Sequence, residues 1–243
     1  SARLSVLRHP HELIEGKSSS ISLQFIGYKE NQHINTESGI SMSWIGIQEE
    51  SDKIINLIDL PGDTKYQRLR LETVLNYCAD MVFIFIDGTN IDTELDDMLK
   101  YCEICTEINQ KFSIIITKID LLSEHEIEEV NMTVKGAIID STSNKAFDIT
   151  DESINIFDNT IDTIPILMVS NLDKKYAMLT HKFINKISQQ KSYEHTNDND
   201  VMFYALDVFY KYDIGEIIVG ILKNGRIKVG NTLTLGQEGK DIQ

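Results

Sequence analysis

Cysteine is scarce in this chain, and the three present, Cys78, Cys102 and Cys105, are too few and too odd in number for a disulfide framework. That excludes the disulfide-stapled secreted class and points to a reducing compartment, so a cytoplasmic location is expected. Cys102 and Cys105 have Cys-x-x-Cys spacing, but without a second pair ordinary helix packing is the reading, ahead of a metal or redox role. Long apolar runs are missing as well. The longest, Met81 to Ile86, falls far short of the roughly 20 residues that span a bilayer, and no membrane partner is expected. No signal peptide is legible at Ser1, although a chain that does not start with Met can have lost one. Basic residues are outnumbered, 23 Lys and Arg against 38 Asp and Glu for a net charge of -15, which excludes a general nucleic-acid binder and leaves room for a local basic patch.

One more absence is a motif. A phosphate-binding loop needs Gly, four residues, then Gly-Lys-Ser/Thr between a strand and a helix, and no such run occurs among the 243 residues. Gly16-Lys17-Ser18 imitates its last letters, but His11 stands where the first glycine belongs and the preceding residues read helical.

The residues present make a chain with 42% hydrophobic content, long enough for one large domain or one domain with part of another. Four β-branched apolar runs, Ile54 to Ile58, Met81 to Ile86, Phe112 to Ile116 and Ile164 to Val169, alternate with segments of helical spacing at 94–109, 123–139 and 173–190. Continuously apolar strands joined by helical crossovers predict an α/β fold with a parallel sheet covered on both faces. Residues 21–50 alternate around Gly27 and Gly39 and predict a strand pair ahead of the Ile54 strand. After Gln190 a polar stretch reads as a linker, and from Val201 the period becomes two, with Gly215, Gly220, Gly225 and Gly230 at intervals of five and Asn224-Gly225 as a hairpin signal. The division predicted is 1–192, a linker at 193–200, and the start of an antiparallel β-barrel at 201–243.

Chemistry in such sheets gathers at the carboxyl ends of strands. Three short motifs lie there in order: Asp59-Leu60-Pro61-Gly62, Thr117-Lys118-Ile119-Asp120 and Ser170-Asn171. In an Asp-x-x-Gly turn beside a nucleotide the carboxylate holds Mg²⁺ through a water and the glycine lets a backbone N–H approach a γ-phosphate, roles that Asp59 and Gly62 would take. Asp120 has the two acceptor oxygens that suit a guanine edge, with the Lys118 stem along the ring and Thr117 bracing the loop. Each motif alone is common; order, spacing and strand-end placement together make a guanine-nucleotide site the reading. The plain alternatives are that Asp59 and Asp120 are solvated loop acids, that Ser170-Asn171 caps the next helix, and that Lys65, Arg68 and Arg70 form a solvated helix face rather than a partner contact.

Together these motifs resemble the translational GTPases related to elongation factor Tu, over essentially the whole chain. The segment from Gly215 to Leu233 looks like that family's second domain. Within the family the likeness is to the branch called GTP-binding proteins 1 and 2, through Arg8-His9-Pro10-His11-Glu12, Glu15-Gly16-Lys17-Ser18-Ser19-Ser20, Trp44, Lys65-Tyr66 and the Thr-Lys-x-Asp and Ser-Asn motifs. The resemblance implies a P-loop-GTPase-like parallel sheet, its first strand and phosphate loop missing here, followed by the beginning of a truncated barrel. It implies GTP/GDP and Mg²⁺ as ligands, a monomer, and GTP-switched engagement of ribosome and tRNA or of RNA quality control. Arg3 to Ser20 would correspond to the end of the first helix and switch I. Among Ser18, Ser19 and Ser20 the spacing leaves the switch residue open, and Ser20 is taken as the Mg²⁺ ligand beside Asp59. Asp63 stands at the catalytic position where the family has a histidine that positions the attacking water. An ionised carboxylate there repels the charge of the transition state, so slow hydrolysis is expected. The alternative is a degenerate scaffold that binds partners and hydrolyses nothing.

Phosphate-loop amides and their lysine supply most of the attraction for a polyanion. The 243-residue chain by itself is therefore expected to bind GTP weakly or not at all, and to be inactive. Isothermal titration with GTP and Mg²⁺ measures this, and micromolar or tighter binding would contradict it.

Overall fold

A computed structural model describes residues 7, 9–37, 40, 41, 43–77, 79–158, 160–187, 201–236 and 240–242. Cys78, Gly39, Arg3, Arg8 and the linker at 193–200 lie outside the described residues. Two compact units are distinguished, residues 1–74 with 79–190, and residues 75–78 with 191–243.

In the first unit a short helix α1 (Pro10–Glu15) leads into β1 (Ser22–Lys29) and β2 (Gln32–His33), a two-residue pair β3 (Thr36–Glu37) and β4 (Ile40–Ser41), α2 (Trp44–Glu50) and β5 (Lys53–Asp59). Then come α3 (Gln67–Asn76), β6 (Val82–Asp87), α4 (Ile91–Glu107), β7 (Phe112–Thr117), α5 (Glu124–Thr142), β8 (Lys145–Asp148), β9 (Thr163–Met168) and α6 (Lys174–Lys186). The helix α2 is an element that the alternation around Gly27 does not announce. Ser43 starts it by accepting a hydrogen bond from the Gly46 amide at 3.2 Å.

The parallel sheet has the order β6-β7-β9-β8, and its apolar strands alternate faces as a pleat requires. Ile84, Ile86, Ile114, Ile116, Ile164 and Ile166 join Met98, Cys102 and Cys105 of α4 and Val130, Val134 and Ile138 of α5 in one core. Ile115, Leu167 and Val169 face the other way, onto Phe157, Leu179 and Phe183. Cys102 and Cys105 are thus core side chains of α4, and burial pushes both thiols up to about 12. A buried thiol with so high a pKa is neither a ready nucleophile nor a metal ligand.

The strand carrying Asp59 sits elsewhere than its composition suggests. Instead of joining the parallel ladder, β5 pairs antiparallel with β1 from Tyr28↔Lys53 to Ser22↔Asp59, in a sheet of order β2-β1-β5. Its pattern explains this: Ile54 and Asn56 are exposed, so one face is solvated, as antiparallel sheets allow.

The second unit contains β10 (Met202–Lys211) and β11 (Gly215–Asn224), paired antiparallel, and a smaller pair, β12 (Leu233–Leu235) with β13 (Lys240–Ile242). The tight turn between β10 and β11 uses Asp213 and Gly215, both at positive φ, and Asn224-Gly225 instead ends β11. Among the described residues no helix is long and apolar enough to cross a membrane.

Side chains tie the antiparallel sheet to α6. Tyr28, almost fully buried, donates through its hydroxyl to the His181 carbonyl at 3.2 Å and lies 3.1 Å from His181 Nδ1. The His33 ring lies against His181 at 4.4 Å between centroids. Lys53 donates to the carbonyls of Asn185 and Ile187, satisfying the end of α6 where a cation also suits the helix dipole. Burial lowers the pKa of His33, and burial together with the neighbouring His33 lowers that of His181. With native values below the ordinary 6.5, the unfolded chain binds protons that the native chain does not, so stability is full above about pH 6.5 and falls as pH drops below it. Denaturant midpoints measured from pH 7.5 to 5 should fall, with a shallower slope for His181→Gln; equal slopes would show that the ring pair carries no pH dependence.

Candidate functional site

Three loops converge at the carboxyl end of the parallel sheet. Asp87 and Thr117 are register partners at the ends of β6 and β7, and the Val169 amide donates to the Ile116 carbonyl at 2.8 Å, carrying the loop after β9 to the same edge. The Thr117 hydroxyl donates to the Ile86 carbonyl at 3.0 Å, so Thr117 braces its loop against β6. Lys118 takes the left-handed conformation, φ 60° and ψ 28°, a strained choice for a residue with a Cβ. That turn leads into Ile119, which is buried, and Asp120, which is exposed and whose carboxylate has no hydrogen bond or ion pair with a described residue. Ser170 is buried and its hydroxyl accepts from the Leu172 amide at 3.1 Å; Asn171 is exposed. Capping of α6 falls to Asp173, which accepts from the Lys175 amide at 2.9 Å, and not to Ser170-Asn171.

Asp87 belongs to none of the three motifs, though its place at the end of an apolar strand matches that of Asp59. Its carboxylate accepts from the Thr89 amide at 2.9 Å and hydroxyl at 2.7 Å, from the Asn90 amide group at 3.0 Å, and from the Lys118 ammonium. Burial pushes the carboxyl up, but Lys118, Thr89 and Asn90 outweigh it and hold Asp87 well below the usual carboxylate range.

Asp59 ends β5, and its carboxylate has no hydrogen bond to a described residue. It keeps an exposed edge, yet partial burial and then the nearby Glu12 carboxylate raise its pKa. Glu12, a second residue outside the motifs, is buried in α1. It accepts from the His9 amide at 2.9 Å, the Ser19 amide at 2.6 Å, the Ser19 hydroxyl at 2.7 Å and the Ser20 hydroxyl at 3.5 Å. Its bond from the His9 amide is one half of a capping box, with Glu12 at the third position after His9, but His9 is not the Ser or Thr by which such a box is read from sequence. Gly16, at φ 70°, closes α1 as its left-handed cap, so Gly16-Lys17-Ser18 ends a helix and does not open one. Asp59 and Ser20 offer hard oxygen donors of the kind Mg²⁺ takes, but no group of three or more His, Cys, Asp or Glu side chains suited to a metal occurs among the described residues. Burial, and then Glu12, raise the Asp59 pKa, and a cation would offset both.

The turn after β5 is held by Arg70. Its guanidinium donates to the carbonyls of Pro61 at 3.0 Å and Asp63 at 2.8 Å, and to the Tyr101 hydroxyl at 2.9 Å, with Asp97 at 3.9 Å. Arg70 is therefore an inward clamp, whereas Arg68 is solvated and pairs with Glu72 along the helix. The Asp63 carboxylate accepts from the Lys65 amide at 3.1 Å, capping a single 3-10 turn at Thr64–Tyr66. Gly62 is exposed, and a Cβ built there would meet nothing within 4 Å.

Residues 13–198 match the model of a protein family described as the Gtr1/RagA G protein conserved region. GTP-binding protein 2 of Homo sapiens is 24% identical over 245 residues, which cover 97% of this chain and 40% of that protein. GTP-binding protein 1 of Xenopus laevis is 24% identical, covering 98% of this chain and 37% of that protein. The chain thus spans well under half the length of the curated relatives it matches. Among solved structures, a bacterial selenocysteine-specific elongation factor EF-Sec matches with a TM-score of 0.65 at 14% identity, over 97% of this chain and 33% of that one. Elongation factor SelB of Methanococcus maripaludis, in complex with the GTP analogue GPPNHP, matches with a TM-score of 0.50 at 18% identity, over 77% and 37%. These neighbours share the fold. The relatives are those of the branch that the motifs resemble.

Hydrogen bonds to a charged donor are worth about 1.5–3 kcal/mol, so Arg70→Ala is expected to cost on the order of 2 kcal/mol. Amide exchange at Gly62 to Lys65 should accelerate while that of β7 does not. Arg68→Ala, which removes only a surface pair, should leave both unchanged. Unaltered exchange at the turn in Arg70→Ala would show that the clamp holds nothing.

Proposed function

This chain belongs to the Gtr1/RagA G-protein family, and we propose that it carries the base-recognition and switch portions of a GTP-binding, translational-GTPase-like protein. The observation that carries the proposal is the exposed carboxylate of Asp120, without a partner among the described residues and set beside Lys118 and the buried Ser170 at one sheet edge. A carboxylate left open at that edge is what two N–H groups of a guanine edge require. In the whole protein Thr117, Lys118, Asp120, Ser170 and Asn171 bind the base. Asp59 and Ser20 hold Mg²⁺, which would supply charge neutralisation at the phosphates, and the Gly62 amide faces the terminal phosphate. The elongation-factor neighbours support ribosome and tRNA as partners of that switch.

Turnover is slow in this proposal because Asp63 adds negative charge near the reacting phosphate. At an effective dielectric of about 20, a unit charge at roughly 5 Å is worth on the order of 3 kcal/mol, or about a hundredfold in rate. The second reading, a scaffold without hydrolysis, is favoured by the capping contact that engages the Asp63 carboxylate.

The test uses the chain extended at its N-terminus by a strand and phosphate loop. Asp120→Asn should lose GTP and gain xanthosine triphosphate by up to about 10⁴-fold, since a site built to hydrogen-bond one edge rejects the other. Unchanged preference in a competition assay would show that Thr117 to Asp120 is an ordinary loop. In single-turnover hydrolysis with ribosomes, Asp63→His should be faster than the parent; equal rates would remove Asp63 from the chemistry.

A further inference from the structure

We propose that Asp87 is the positioning residue for Lys118, anchoring its ammonium so that the lysine meets a ligand with its apolar stem and not with its charge. This rests on the reading of the Thr117 to Asp120 loop as a base site, and adds to it a residue from a different strand.

The ammonium of Lys118 faces Asp87 and, more distantly, Glu94, and both hold it in the charged form. Asp87 is itself held in place. It is 9% exposed, its amide donates to Glu94 Oε2 at 2.7 Å, and its carboxylate is engaged by Thr89 and Asn90. The turn from Gly88 to Asn90 is seated on the base loop: a Cβ at Gly88 would lie 3.1 Å from the Thr117 carbonyl and 3.1 Å from Leu122 Cδ1. Glycine makes that approach possible without displacing either neighbour. Lys118 is therefore fixed at both ends, by its left-handed backbone and by an ion pair with a side chain that is itself anchored. Its methylene stem, with the side chain 56% exposed, is left as an apolar edge on the same loop as the open carboxylate of Asp120, two residues on. An unanchored lysine would instead be mobile and would pair with Asp120 or reach for phosphate, blunting selection of the base.

Asn at position 87 keeps an acceptor for the Thr89 turn and removes the charge that holds Lys118. Freezing a long, free side chain on binding weakens affinity by a factor of about three to ten, and that is the loss expected. The probe is GMP at millimolar concentration, titrated into the 243-residue chain with the amide signals of Thr117 to Asp120 followed by NMR. The parent chain should respond, and Asp120→Asn should abolish the response. Asp87→Asn and Lys118→Met should each weaken it about three- to tenfold, and the double variant should be no weaker than either.

GMP presents the base edge without the polyanion whose loop does not occur among the 243 residues, so no response in the parent chain overturns the base-site reading and this proposal with it. A response lost in Asp120→Asn but unchanged in Asp87→Asn overturns the proposal alone. If Asp87→Asn weakens binding just as much on the Lys118→Met background, Asp87 acts on the fold and not through the lysine, and the proposal fails. Should Asp87→Asn melt before it can be titrated, Lys118→Met, an exposed change, decides: GMP affinity equal to that of the parent overturns the anchoring role.

Discussion

The parallel ladder of β6, β7 and β9 is the constraint on which the candidate site depends. Parallel strands exchange evenly spaced hydrogen bonds, so pairing Asp87 with Thr117 and the Val169 amide with Ile116 leaves three chains ending at one level. The buried isoleucines set that register, because a shift by one residue would turn every core-facing side chain to the other face. Beyond its last paired residue, each strand runs into a loop whose path depends on how that loop satisfies its own polar groups. Thr117 bonds back to Ile86, Ser170 takes the Leu172 amide, and Asp87 takes Thr89 and Asn90. The Asp120 carboxylate takes nothing from a described residue, which is what the proposed function asks of a group that meets a ligand.

The carboxylates of the first unit differ in how their charge is met, and the differences sort their roles. Asp87 is buried and paired with a cation, so it is ionised and rigid. Glu12 is buried among serine and amide donors and organises the segment around Ser19 and Ser20. Asp59 is partly buried beside Glu12 with no compensating donor among the described residues, the arrangement of these three that a cation improves. Asp87 and Glu12 have their partners within the fold; the two carboxylates assigned to ligands, Asp59 and Asp120, have none among the described residues.

The parallel strands, their crossover helices and the Asp120 loop were legible in the sequence because continuous β-branched runs and strand-end motifs are local signals. Other features were not. The antiparallel home of β5 depends on which neighbour it meets, and a half-apolar strand such as Lys53–Asp59 has no local mark for that. Arg70 looked like a surface residue because composition does not say which way a guanidinium turns. Asp87 escaped because its partners, besides the nearby Thr89 and Asn90, include Lys118 on the loop after a different strand. The barrel reading misplaced its turn for a similar reason. Asn224-Gly225 is a good hairpin pair, yet it ends β11, and the tight turn lies at Asp213 to Gly215 between two strands whose pairing carries one register shift on each.

Arg70 bears on what kind of switch the turn after Asp59 can be. The loop from Pro61 to Asp63 is not an open tether, since two of its carbonyls are bound to a guanidinium that is itself held by Tyr101 on α4. Movement of Gly62 toward a ligand has to carry Arg70 along or break contacts whose loss costs on the order of 2 kcal/mol. The side chain of Asp63 adds to this by capping the next turn, so its carboxylate is engaged before any phosphate arrives. Because Arg70 belongs to α3 and Tyr101 to α4, the stiffness of the turn depends on the packing of two helices and not on the turn alone. A ligand that rearranges Asp59 to Asp63 therefore works against a contact remote from itself, and only one with a large differential affinity for the rearranged turn shifts it. Under the proposed function a γ-phosphate with its metal would be a ligand of that strength and a base edge would not, which would separate the part of the site that selects the nucleotide from the part that responds to its phosphate.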